Sequence, residues 1–196
     1  MRRVVGLLLA AGIGQRFDPS GTRLKLLEPS PIGPHAGAPL AVAAACSLRS
    51  VMREVHAVVR PANTPLQQRL HALLAAEGCR LLLCPEADQG MGASLACGVR
   101  ATADAAGWIV ALADMPAVLS STIAAVLAAI DTGAVSAAPY FDGQRGHPVG
   151  FTRACFAELA ALQADQGART VLLAHPPTRI AVDDPGCLCD IDTRPP

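Results

Sequence analysis

Short apolar runs of strand length alternate with Ala- and Leu-rich runs of helix length along most of this chain, and no other feature restricts the fold as much. Arg3–Ala10, Val55–Val59, Arg80–Leu83 and Trp108–Ala113 read as strands, and Pro39–Met52, Pro65–Glu77, Ala93–Ala105 and Ser120–Ile130 as helices. Short, mostly apolar strands separated by helices predict a largely parallel sheet covered on both faces. The expected class is α/β, a three-layer α/β/α arrangement of Rossmann-like order. The pattern changes at "VSAAPYFDGQRGHPVGF", where Asp142-Gly143 signals a tight turn and a small antiparallel excursion. Helices at Arg153–Leu162 and Ala168–Ala174 and a short strand at Arg179–Val182 follow. "EPSPIGPHAGAP" carries four prolines and reads as a surface loop.

Composition narrows the partners. Hydrophobic residues make up 52% of the 196-residue chain and aromatics 3%, so Ala, Leu and Val must build the core. That length, without a repeat or a linker, predicts one domain over residues 1–196. The 16 basic and 16 acidic residues give zero formal net charge with no basic run, which argues against nucleic acid as a partner. "MRRVVGLLLAAG" imitates a signal peptide, but its apolar run is short and leads into Gly12, Gly14 and Arg16 rather than a cleavage site. No apolar stretch reaches the ~18 residues of a membrane span. The seven cysteines are odd in number, and no pair has C-x-x-C spacing. They read as reduced residues of a cytoplasmic protein. Cys187 and Cys189, in "CLCD", would share one side of an extended segment and are the one pair with a metal or redox reading.

The first strand ends in "LLLAAGIGQRF". In a parallel α/β sheet, ligands bind beyond the carboxyl ends of the strands. Small residues at Ala10, Ala11, Gly12 and Gly14 let backbone N–H groups approach an anion closely. Two known phosphate loops do not fit. Phe17 stands where the dinucleotide fingerprint needs a third glycine, and no G-K-[ST] follows. Arg16 and Lys25 supply instead a bidentate guanidinium and a compact ammonium, a pair suited to a triphosphate. Asp114, directly after the strand in "WIVALADMPAV", would emerge at the same edge. It is either a turn cap or the single carboxylate that Mg²⁺ commonly takes beside substrate phosphates.

Together, in order, "LLLAAGIGQRF…KLL", "GMGASLACGV", "ALADMP", "GHPVGF" and "DIDTRPP" resemble the molybdenum cofactor cytidylyltransferase (MobA-like/MocA-like) branch of the nucleotidyltransferases with a glycosyltransferase-A-like fold. The resemblance covers nearly the whole chain. It implies transfer of a nucleoside monophosphate from CTP or GTP to the phosphate of molybdopterin, with Mg²⁺ and release of pyrophosphate. Gly12, Arg16 and Lys25 would then hold the triphosphate within a nucleotide-binding stretch that runs from Leu9, and Asp114 the metal. Gly90, Gly92 and Ser94 would lie near the nucleoside, with Ser94 equally readable as a helix N-cap. Asp190 and Asp192 would return to the site, Asp192 toward the metal and Asp190 toward the acceptor, and His147 would line the acceptor pocket.

The chain departs from the family pattern where Asp18 replaces a glycine and "DPSGTRL" lengthens the gap between arginine and lysine, so Arg23 competes with Lys25. "LAAG" resembles cytidylyltransferases, whereas guanylyltransferase relatives tend to carry Gly for the second Ala. Three further readings stand beside CMP transfer: GMP transfer, a sugar or alcohol phosphate as acceptor, and a non-catalytic carrier of finished cofactor. An enzyme of this kind would pass its product to a recipient such as a molybdenum hydroxylase apo-enzyme or its maturation factor.

Overall fold

A computed structural model of the chain describes residues 3–12, 14, 17–18, 20 and 22–191, residue 165 by its backbone alone. The strands are β1 (Val4–Leu9), β2 (Val55–Val59), β3 (Arg80–Leu83), β4 (Gly107–Leu112), β5 (Ser136–Phe141), β6 (Gln144–Arg145), β7 (Val149–Thr152) and β8 (Thr178–Ala181). They form one sheet in the order β3-β2-β1-β4-β7-β5-β6, with β8 paired to β5. β1 to β4 run parallel. β7 is antiparallel to both β4 and β5, and β8 is parallel to β5. The fold is therefore α/β with a mostly parallel sheet and a small antiparallel part. At the β5–β6 turn, Asp142 and Gly143 both have positive φ, 47° and 75°, the backbone that a two-residue hairpin of this twist requires.

Helices α1 (Leu40–Arg49), α2 (Pro65–Ala76) and α4 (Ser120–Asp131) cover one face, and α3 (Met91–Ala101), α5 (Phe156–Ala160) and α6 (Arg169–Ala174) the other. Alternation along β1 divides the two cores. Leu8 packs with Ala41, Leu48, Ile123 and Val126 on the first face, while Val5 and Leu7 pack with Leu95, Val99 and Trp108 on the second. The Cβ position of Gly98 lies 2.8 Å from Val58 and 3.3 Å from Leu7, so a side chain there would push α3 off the sheet.

Local chemistry sets the element ends. Thr64 and Gln67 form a capping box at α2, with Pro65 in the first turn. α3 starts two residues before the expected Ala93 and stops at Ala101. There the Thr102 hydroxyl donates to the Gly98 carbonyl and accepts from the Trp108 indole. The helix expected over Arg153–Leu162 is a 3-10 turn, Arg153–Cys155, followed by a short α5. Arg153 explains the delay: its backbone N–H donates to the Ala106 carbonyl and its guanidinium to those of Ala103 and Ala105. Among the described residues no helix is long and apolar enough to cross a membrane.

Candidate active site

The carboxyl ends of β1 to β4 share one edge, and the chain after β1 and after β4 supplies its charged groups. Lys25 opens a 3-10 turn, Lys25–Leu27, and is only 7% exposed. Its ammonium donates to Asp114 Oδ2 at 2.8 Å, across 89 residues of sequence. Asp114 lies two residues past β4 with its side chain 27% exposed, so part of the carboxylate remains open to solvent. A buried ammonium needs a counter-charge, and this carboxylate provides one.

Glycine at position 14 is what lets Lys25 approach. Gly14 has φ +66°, and a Cβ there would sit 2.9 Å from the Lys25 Cβ. The intervening segment is folded by Asp18, which accepts hydrogen bonds from Ser20, Thr22 and the Arg23 N–H. These bonds, that of the Ser20 hydroxyl first, hold the Asp18 carboxyl down at about 2. Arg23 does not reach Asp114. It pairs with Glu28 and stacks over Phe17 at 5.6 Å. Of the two cations that compete from sequence, Lys25 is the one the structure brings to the carboxylate.

The small residues of the first loop divide by function. Ala10 and Ala11 are buried, Leu9 is half-buried and Gly12 is exposed with open space at its Cβ position. Ala11 packs with Val58, Cys84 and Ala87, so its methyl group points into the core. A base-selecting contact by that methyl group is therefore not what this geometry offers. Arg60, one residue past β2, escaped the sequence reading because a single arginine after a strand looks like surface charge. It donates to the Ala11 carbonyl at 2.6 Å and the Ala87 carbonyl at 3.2 Å, and pairs with Asp88. It ties the first loop to the 3-10 turn Pro85–Gln89, which leads into Gly90 and α3.

The loop at Gly90–Ser94 is the start of α3. Gly90 is the N-cap, with φ +119°, and Ser94 lies inside the helix with its hydroxyl donating to the Gly90 carbonyl. The N-cap reading of Ser94 is thereby corrected. Gly92 is required by packing, since a Cβ would meet the carbonyls of Ala164 and Gln163 at 2.7 and 2.9 Å. It faces a neighbouring segment of the chain, not open space.

The C-terminal segment does return to this edge. Asp184, 2% exposed, accepts from Leu119 N–H, the Thr122 hydroxyl and Gly186 N–H at 3.0, 2.6 and 3.0 Å. It thereby pins the 3-10 turn Pro185–Leu188 against the start of α4. From there Ile191 N–H donates to the Asp114 carbonyl at 3.0 Å. The Asp190 side chain is exposed. Arg16 and Asp192 lie outside the described residues. Cys187 sits in the 3-10 turn rather than in an extended segment, so the same-side geometry expected for Cys187 and Cys189 is not formed.

His147 was expected to line an acceptor pocket. It faces inward, beside Ala44, Ser47, Met115 and Ile123. Burial, reinforced by Arg145, holds its imidazole down at about 4 against the opposing pull of Asp114 and the Val110 carbonyl. The residue is half-buried and its ring is neutral at ordinary pH. Burial likewise pushes the thiols of Cys79, Cys155 and Cys187 up to about 11, as suits unreactive core cysteines.

One hard carboxylate oxygen donor, partly open to solvent, fits a divalent cation that completes its shell with phosphates and water. Comparison with known proteins gives the family. The MobA-like NTP transferase domain family matches residues 6–179. The purine catabolism protein PucB of Bacillus subtilis is 31% identical over 97% of this chain and 92% of its own. Rv0371c of Mycobacterium tuberculosis superimposes with a TM-score of 0.76 at 24% identity, over 97% of this chain and 94% of its own. A second structure of that protein, complexed with manganese, gives 0.71 at 23% identity over 92% and 88% of the two chains. On the extent of the family match and the PucB similarity, the chain belongs to the MobA-like NTP transferase family, whose chemistry is nucleotidyl transfer.

Proposed function

We propose that the chain, acting as one catalytic unit over residues 1–196, transfers CMP from CTP to the terminal phosphate of a molybdopterin-type molybdenum cofactor and releases pyrophosphate. The observation that carries nucleotidyl transfer at this edge is the 2.8 Å pair between Lys25 and Asp114 beside the first loop. The ordered motifs of the resemblance, taken together, support CTP and the cofactor acceptor. A molybdenum hydroxylase acting on a purine is a recipient compatible with the Bacillus relative's role in purine catabolism.

In this reading an acceptor phosphate oxygen attacks the α-phosphorus in line, and pyrophosphate leaves with the electrons of the broken P–O bond. No protein nucleophile is needed. Asp114, with Asp192 as a second carboxylate, would hold a Mg²⁺ ion, which would supply charge neutralisation at the phosphates. Lys25 exchanges its carboxylate partner for triphosphate oxygens and stabilises charge on the departing pyrophosphate, and Arg16 supplies a second cation for the triphosphate. Gly12, exposed at the end of the first loop, leaves the backbone open to that anion. Asp190, exposed in the C-terminal segment, is the acceptor-binding carboxylate of this reading.

Pyrophosphate release with Mg²⁺ and molybdenum-loaded molybdopterin, with CTP, GTP, ATP and UTP offered separately, tests the reading. Release with CTP, reduced about 10²- to 10³-fold in Asp114→Ala, is the expected result. A GTP preference refutes the cytidylyl assignment, and full activity of the variant refutes the site. Binding of finished cofactor without pyrophosphate release from any nucleotide makes the chain a carrier.

A further inference from the structure

Beyond the triphosphate edge, two thiols and a carboxylate from three successive segments converge beneath the first loop. Cys84 follows β3 and is fully buried, Glu86 lies in the turn Pro85–Gln89, and Cys97 is in the second turn of α3, half-buried. Their ligand atoms all lie within 4.8 Å of one another, and Cys84 Sγ is 4.0 Å from Glu86 Oε2. Two sulfurs at 2.3 Å from one tetrahedral Zn²⁺ are about 3.8 Å apart, and a sulfur and a carboxylate oxygen about 3.6 Å. The three atoms therefore need only small movements to share an ion.

We propose that Cys84, Glu86 and Cys97 form a binding site for a borderline-soft divalent cation of the Zn²⁺ type, separate from Asp114. Three ligands from the chain leave a fourth position for water. Two thiolates and a carboxylate select such an ion over Mg²⁺, which prefers oxygen. Binding releases two thiol protons to solvent and forms two metal–sulfur bonds, with no change of oxidation state. The carboxylate distinguishes the arrangement from a simple dithiol: beside a disulfide it has no role, whereas an ion uses it as a third donor. Without an ion the thiol protons rest on the chain's own carbonyls, Cys84 toward Ala93 and Cys97 toward Leu83. Burial, with Cys84 and Glu86 close by, then pushes the Cys97 thiol up to about 12 despite Arg100. An ion there would fasten the end of β3, the turn before Gly90 and α3 into one unit.

The test is titration of the full, reduced, chelator-treated chain with Co²⁺ in excess Mg²⁺, which occupies oxygen-ligand sites such as Asp114. A thiolate-to-cobalt charge-transfer absorption that saturates near about one equivalent and is displaced by Zn²⁺ is expected. Cys97→Ser should abolish it, Glu86→Gln should weaken Co²⁺ binding by at least about 10-fold, and Cys46→Ser, outside the cluster, should leave it intact. If Cys84→Ser does not fold, Cys97→Ser at the half-exposed position still decides the matter, with circular dichroism reporting its fold. An absorption that survives Cys97→Ser overturns the proposal. So does its absence from the parent chain, or a Cys84–Cys97 disulfide in air with no Co²⁺ uptake after reduction.

Discussion

Replacing Asp184 by alanine removes one acceptor group from three hydrogen bonds. Oδ2 takes the Leu119 N–H and the Thr122 hydroxyl, and Oδ1 takes the Gly186 N–H. The site is 2% exposed, so water does not readily replace what is lost. Hydrogen bonds to a charged group contribute about 1.5–3 kcal/mol each, and three that share one carboxylate are not additive. About 4 kcal/mol is the expected loss, at the upper end for a single substitution. For a chain of this size that corresponds to a fall of roughly 8–16 °C in Tm. Asp184→Asn should lose about half as much: its carbonyl can serve Leu119 and Thr122, but its amide then meets the Gly186 N–H, donor against donor. Urea unfolding and thermal melts of the three proteins measure these differences. A loss below about 1 kcal/mol for alanine, or an asparagine variant as damaged as alanine, would refute this account of the buried carboxylate.

His147 predicts an acid sensitivity. Its folded-state pKa of about 4 lies below the ordinary 6.5, so the unfolded chain takes up a proton first as pH falls. The stability is present above pH 6.5 and is lost as pH falls toward 4, on the order of 3 kcal/mol, and His147→Gln should flatten that part of the profile in urea unfolding. Gly14→Ala forces a side chain into positive φ and against Lys25. It should cost about 1–2 kcal/mol in denaturant and lower nucleotide turnover more than a distant substitution of equal cost. Arg60→Met should lower kcat/KM for the nucleotide about 10-fold by releasing the Ala11 carbonyl. Arg60→Lys should not restore it, because one ammonium cannot reproduce the fork that reaches Ala11, Ala87 and Asp88.

The sheet was legible because β2 and β3 are short, apolar and bounded by breakers, and their limits match the sequence reading residue for residue. Asp114 was legible for the same reason: it ends a strand, and strand ends collect at one edge. Lys25 was legible as a cation after the small-residue loop, but its rivalry with Arg23 was not resolved, since the Asp18-capped segment before it follows no periodicity. Buried polar anchors were not legible. Asp184 and Arg60 look like surface charge until distant segments are placed around them, and Cys84 and Cys97 carry no metal-binding spacing because α3 supplies their proximity. The inward direction of Ala11 and His147 also depends on packing, which a string of residues does not encode.

The reversed strand β7 has a consequence for how such an enzyme diversifies. Because it runs opposite to β4, the hairpin before it and the segment after β8 arrive at the same rim as the loops of β1 and β4, yet through a separately paired half of the sheet. Exposed positions of these segments, such as Gln144, Arg145 and Asp190, can therefore change chemistry while the Asp184 anchor and the parallel half keep their register. The rim thus gathers groups from both halves of the sheet, held together where Ile191 N–H meets the Asp114 carbonyl.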